Sequence, residues 1–268
     1  PRRDVDWTLL DTKSVATRLS HWDEAADAEK TCMQGASRRC TEMRRFVDEG
    51  GGVSGVQPVI DDVNAALPIL KRLWSEEFAR IGRTFAAPDV AYYGVGTGIA
   101  AVFEPADVAK KAGDCMKPFD NSLYCPSTNT VYLDAVYLTK VARAVHEADG
   151  TTGRFAAIAV AAHEIGHAVH VQTGDAEGDK HAQELLADCF AGAGMAALRR
   201  SETGVGQSKA AQVLYTSDAL AEGQLGIALI GGPKMVDGIH EAGPVRADYY
   251  TRGFNMGFGS CADRFKPR

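Results

Sequence analysis

The sequence predicts an α+β protein: mostly helical, with a small antiparallel sheet and an N-terminal helical appendage. Three observations carry that reading. Residues 89–103 and 122–134 are rich in β-branched and aromatic residues, interrupted by glycines or by a Pro-Ser-Thr-Asn turn. Ala- and Leu-rich stretches with helical spacing of apolar residues follow them. Strands and helices are thus segregated along the chain, unlike the alternating βαβ units of a parallel sheet.

Taken in order, residues 5–48 read as helical, with Trp7, Leu10, Val15, Leu19 and Trp22 among many charges. The Gly-rich run "EGGGVSGVQP", residues 49–58, breaks that pattern and places a boundary between an appendage (1–58) and a main domain (59–268). Residues 59–82 carry an apolar stripe of Ile69, Leu70, Leu73, Trp74, Phe78 and Ile81, and Pro68 should start or kink this helix. Two short strands are expected in 89–103, and a strand, a turn and a strand in 122–134. Helices are expected at about 135–148, 153–173, 180–200, 208–230 and 245–258.

At 268 residues the chain can bury a substantial core without staples. Its net charge of −6 argues against a nucleic-acid partner, which would call for a basic stripe to displace counterions. The arginine pairs at 38–39 and 44–45 are interleaved with acids and read as a solvated face. No apolar run is long enough to span a bilayer, and the stretch carries no leader or anchor of its own. Oligomeric state is not legible.

Six cysteines occur: Cys32, Cys40, Cys115, Cys125, Cys189 and Cys261. None forms a CxxC pair, which weakens zinc-ribbon and thioredoxin readings. An even count at loop-like spacings suits disulfides in an oxidising place, extracellular or in the cell envelope. The alternative is six buried thiols in a cytosolic protein. Local pairing of Cys32 with Cys40 and of Cys115 with Cys125 would leave Cys189 with Cys261, but spacing does not fix the connectivity.

The most informative run is "AAHEIGHAVH", residues 161–170. On a helix ending near Gly174, His163 and His167 lie one turn apart on one face. Both imidazoles can then reach one zinc ion. Glu164, about 100° around the helix from His163, can sit beside the metal's water without ligating the metal. That is the division of labour in H-E-x-x-H hydrolases, where the histidines hold zinc and the glutamate is the general base.

Such a site needs a third ligand. His170 lies seven residues from His163, roughly 10.5 Å along the axis, too far for one straight helix to wrap three ligands around one ion. It should line the cleft or face water. The metzincin extension would need Gly at 170 and His at 173, where this chain has His170 and Thr173. Glu184, in "HAQELLADCFAG" (181–192), opens a second helix after a loop that lets the chain reverse. It would face the edge carrying His163 and His167. Asp188, one turn on, is placed to accept the ring N–H of a ligating histidine, giving the E-x-x-x-D spacing of gluzincins. His181, one turn before Glu184, stands either just behind the ligands or on the surface, and the surface is favoured. Two His and one Glu leave a fourth position for a water whose proton Glu164 would take and pass to the leaving amine.

These motifs, with "LWSEEFARIG" (73–82), "YCPSTNTVYLD" (124–134), "ELLADC" and "GFNMGFGSCADRF", resemble the bacterial neutral zinc metallopeptidase family over about residues 70–265. The resemblance implies a zincin-like, gluzincin fold, one Zn2+ per chain on His163, His167 and Glu184, and Glu164 as base. It also implies that Cys189 pairs with Cys261 and Cys115 with Cys125. The family tends to carry His-Gly-Ser-Ser-x-x-Arg near its C-terminus; the matching "HEAGPVR" (240–246) keeps His240 and Arg246 and loses the middle. His240 is the first choice for a donor to the oxyanion, with Tyr249 and Tyr250 as alternatives.

The function expected is a zinc-dependent endopeptidase acting on peptide or protein substrates. Two other readings stay open: a catalytically inactive metal-bearing interaction protein, which the altered 240–246 stretch would fit, and a zinc amide hydrolase acting on cell-wall peptides. An intact Glu164 speaks against the first, because a non-catalytic zinc site has no use for a base.

Overall fold

The computed structural model describes residues 55–94, 102–103, 105–115, 122–149, 151–174, 179–200, 219–231 and 243–262. The helical region expected at 5–48, with Cys32 and Cys40, lies outside them, as does His240.

Helix α1 runs Val56–Arg80 and buries Val56, Val59, Ile60, Val63, Leu67, Leu70, Trp74 and Phe78, one stripe at three- and four-residue spacing. Pro68 lies well inside this helix and not at its start. The apolar stripe upstream of it carries the helix past the missing N–H, on a side facing solvent, where water can satisfy the freed carbonyl. Trp74 anchors the packing, edge-on to Phe190 at 5.3 Å and tilted against Phe258 at 4.3 Å.

Strands β1 (Asp89–Tyr93), β2 (Val102–Phe103), β3 (Leu123–Cys125) and β4 (Thr130–Asp134) form one sheet in the order β2-β1-β4-β3. The sheet is mixed, which corrects the antiparallel expectation. Strand β1 pairs in parallel with both β2 and β4, and only the β3–β4 hairpin is antiparallel. For the β1–β4 pair the physical reason is a helix that the sequence reading missed: α2, Pro105–Ala112, continued by a 3-10 turn at Gly113–Cys115. It lies on the return path between β1 and β4, and parallel neighbours need such a crossover. Val108 and Ala112, one turn apart, are its only buried residues among the described side chains, so α2 offers a two-residue apolar stripe too short to stand out in the sequence.

The hairpin turns through Pro126–Asn129, where Asn129 takes φ 47°, a left-handed conformation that Asn tolerates. Asp134, the last residue of β4, caps helix α3 (Ala135–Asp149) by accepting the N–H groups of Val136 and Tyr137 at 2.9 and 3.0 Å.

Helix α4, Arg154–Thr173, is buried on nearly every side, as its Ala-rich sequence allows, and stops at Gly174 in the left-handed conformation. Helices α5 (Lys180–Arg200) and α6 (Ala219–Gly231) pack against it, and α7 (Gly243–Met256) packs against both of these. A Cβ on Gly192 of α5 would meet the Tyr250 carbonyl oxygen at 1.9 Å, and one on Gly253 of α7 would meet that of Cys189 at 1.8 Å. The α5 and α7 backbones are therefore in direct contact. Two disulfides are present, Cys115–Cys125 and Cys189–Cys261; the second ties α5 to the turn after α7. Among the described residues no helix is long and apolar enough to cross a membrane.

Candidate metal centre

Three helices build the site. Helix α4 presents His163 and His167 one turn apart, α5 presents Glu184 and Asp188 one turn apart, and α7 contributes Arg246. Gly166, between the two histidines, lets the first two helices approach: a Cβ there would come within 2.8 Å of the Ala187 carbonyl oxygen. A small residue inside the histidine turn is what brings Glu184 and Asp188 to the imidazoles.

Three donor atoms converge. The Nε2 atoms of His163 and His167 are 3.0 Å apart, and the Glu184 carboxylate oxygens lie 3.3 Å from the first and 3.4 Å from the second. Ligands bound about 2.0–2.1 Å from a tetrahedral zinc ion stand about 3.3–3.4 Å from one another. The N2O donor set and its spacing therefore fit zinc, with one vertex of the tetrahedron left over. Among the described residues, His163, His167 and Glu184 are the one group of potential ligands so clustered.

Behind His163, its Nδ1 lies 2.8 Å from Asp188 Oδ1, where an Nδ1–H donates to the carboxylate and turns Nε2 toward the donor cluster. Asp188 is fully buried, and its other partner is Arg246, itself 1% exposed. The guanidinium donates from Nε to Oδ2 at 2.7 Å and from Nη2 to Oδ1 at 2.8 Å, and Nη2 also lies 3.5 Å from Glu184 Oε2.

The electrostatics follow from burial and these neighbours. Burial disfavours the charged form of Glu184 and Asp188, but His163 and Arg246 outweigh it and hold both below the usual carboxylate range. Burial also works against a charged His163, yet the charge and hydrogen bond of Asp188 raise it to about 10. His167, without such a partner, is lowered to about 3 by burial and by its neighbour His163. Two imidazoles 3.0 Å apart do not both carry a proton there, and Asp188 decides which one does. Glu164, 4% exposed, is raised to about 7, chiefly by burial; His163 and a hydrogen bond from the Tyr124 backbone pull the other way. A carboxyl poised near neutral pH is suited to taking a proton and giving it back.

The structure brings His163, His167, Glu184, Asp188 and Glu164 to one place. His170 is buried and does not face water, because α4 is enclosed on that side too. His181 is half-buried. Tyr250 is fully buried with its hydroxyl over Gly223 of α6, where a Cβ would stand 2.1 Å away; it is a packing residue. Arg246 is the site residue to which sequence reasoning gave no role. The available signal was an arginine on the buried face of "VRADYYTRGF", shared with Ala247, Tyr250, Gly253 and Phe254. A charge on such a face calls for a buried carboxylate partner.

A family profile described as "Putative neutral zinc metallopeptidase" matches residues 49–265. Among curated proteins the chain is similar to the uncharacterized protein YpfJ of Escherichia coli strain K12, 26% identical over 204 residues, covering 69% of this chain and 63% of that one. The YpfJ of Escherichia coli O6:H1 is similar to the same extent. The chain thus spans 63% of the length of these relatives. No solved structure matches it.

Proposed function

The chain belongs to the neutral zinc metallopeptidase family, and from that premise we propose that it is a zinc-dependent endopeptidase of gluzincin-like fold, with its catalytic unit in residues 59–268 and residues 1–58 as an appendage. The observation that carries the reading is the trio of donor atoms at tetrahedral spacing from two helices, with the buried Glu164 adjoining it in sequence.

His163, His167 and Glu184 would hold one Zn2+. When bound, zinc supplies a Lewis acid that acidifies water and polarises the scissile carbonyl. The chain's own residues do the rest. Asp188 fixes the His163 ring through Nδ1–H. Glu164 takes the proton of the attacking water on its carboxylate and delivers a proton to the leaving amine nitrogen. Strand β3 forms one edge of the sheet, and its Tyr124 backbone is hydrogen-bonded to Glu164. An extended peptide laid along that edge would run beside the reacting groups, which supports a peptide substrate. The two disulfides support an oxidising location, extracellular or in the cell envelope.

The test is Glu164→Gln. The variant should bind zinc as the parent does and lose casein cleavage by at least about 100-fold, the contribution typical of a positioned acid–base group. Cleavage undiminished in the variant would remove Glu164 from the role of base. Zinc binding without any cleavage by the parent would turn the assignment toward a non-catalytic metal protein.

A further inference from the structure

We infer that Arg246 is a positioning residue of the metal centre: through Asp188 it fixes the plane of the His163 imidazole, making the C-terminal helix α7 a working part of the site. The inference rests on the zinc reading above and adds a residue and an element to it.

A carboxylate hydrogen-bonded to a single imidazole can swing about its Cβ–Cγ bond and carry the ring with it. Asp188 is denied that freedom. The Arg246 fork engages both of its oxygens, at 2.7 and 2.8 Å, and a planar bidentate pair defines the carboxylate plane. Oδ1 is then presented to His163 Nδ1 in one direction, which aims Nε2 at His167 Nε2 and Glu184.

The helix that carries Arg246 is itself held against α5 by backbone packing. Gly192 and Gly253 bring α5 and α7 into main-chain contact, and the Cys189–Cys261 bridge begins one residue from Asp188. A metal ligand's orientation is thus set by an arginine 83 residues away in sequence.

The experiment uses the full chain. Zinc affinity is measured by competition with a chromophoric chelator for the parent, Arg246→Ala, Arg246→Lys, Asp188→Asn and the Arg246→Ala/Asp188→Asn double variant. Tm and circular dichroism report folding. The exchange-protected Nδ1–H resonance of His163 reports ring orientation in histidine-labelled protein.

Arg246→Ala should weaken zinc binding about 10- to 100-fold, the range for removal of an outer partner of a metal ligand. The Nδ1–H signal should be lost while the circular dichroism is kept. Arg246→Lys, which keeps the charge without the fork, should recover part of the affinity. In the double variant the loss should match that of Asp188→Asn alone, because Arg246 acts through Asp188. Affinity in Arg246→Ala within about twofold of the parent, or losses that multiply in the double variant, would overturn the inference. If Arg246→Ala does not fold, Arg246→Lys carries the test: unchanged affinity and an intact Nδ1–H signal would overturn it equally. Casein cleavage by the parent is scored separately. A parent that binds zinc without cleaving removes the peptidase reading and leaves the affinity ratio standing, and a parent that binds no zinc overturns both.

Discussion

Glu222 shows how much a single carboxylate can do at a distance from the reacting groups. It projects from α6, is 1% exposed, and accepts the N–H groups of Phe155 at 2.9 Å and Thr152 at 3.0 Å. Helix α4 has no side-chain cap from its own Gly153, so Glu222 satisfies donors at the start of the helix that carries both histidines. Burial raises Glu222 above its ordinary 4.5, only partly offset by those hydrogen bonds. Since its folded value is raised, the stability it lends is full below pH 4.5 and is lost as pH rises through the folded value. Glu222→Gln removes that titration. The stability difference between variant and parent, from urea unfolding at stepped pH, should therefore move in the variant's favour from about pH 4 to pH 7; parallel curves would contradict the linkage. Residues of this kind are illegible in a sequence. His163, Glu164 and His167 were readable because helical geometry relates neighbours, and Glu184 and Asp188 because one loop and one turn sufficed. Glu222 and Arg246 act on groups 67 and 58 residues away, and no local period encodes that.

Among the elements, the closeness of the helices matters more than their number. Gly166, Gly192 and Gly253 mark backbone contacts between α4 and α5 and between α5 and α7, the two junctions that the candidate metal centre spans. Gly253→Ala should force α7 away from α5, because its Cβ would stand 1.8 Å from the Cys189 carbonyl oxygen. A loss of about 1–3 kcal/mol is expected, as for other overpacked sites, together with weaker zinc binding, since Arg246 and Asp188 sit across that junction. Thermal unfolding and chelator competition check the two parts; a stability loss with unchanged affinity would mean that α7 supports the fold but not the site. The hairpin and the C-terminal end of α4 were legible from turn and cap chemistry. The direction of the sheet was not. Strand runs do not encode which end the chain returns to, and the short α2 that sets it carries few buried apolar residues.

Across the molecule one apolar core extends from α1 through the β1–β4 strand pair to α7, and a smaller cluster of Tyr93, Val108, Ala112, Cys125 and Tyr132 lies beneath α2. Each disulfide has one half next to a residue of the candidate site: Cys125 follows Tyr124, and Cys189 follows Asp188. The bridges close loops of very different length, with sequence separations of 72 and 10. Chain entropy alone assigns about 4 kcal/mol to the first and about 3 kcal/mol to the second. Cys189→Ser/Cys261→Ser should accordingly lower stability more than Cys115→Ser/Cys125→Ser, as read by urea unfolding; the reverse order would show that native-state effects outweigh loop closure. The longer bridge has another effect. A single cut anywhere between Cys189 and Cys261 would sever the main chain without freeing the piece beyond it. The clipped molecule would remain one covalent body, its guanidinium still tethered beside the acid it serves.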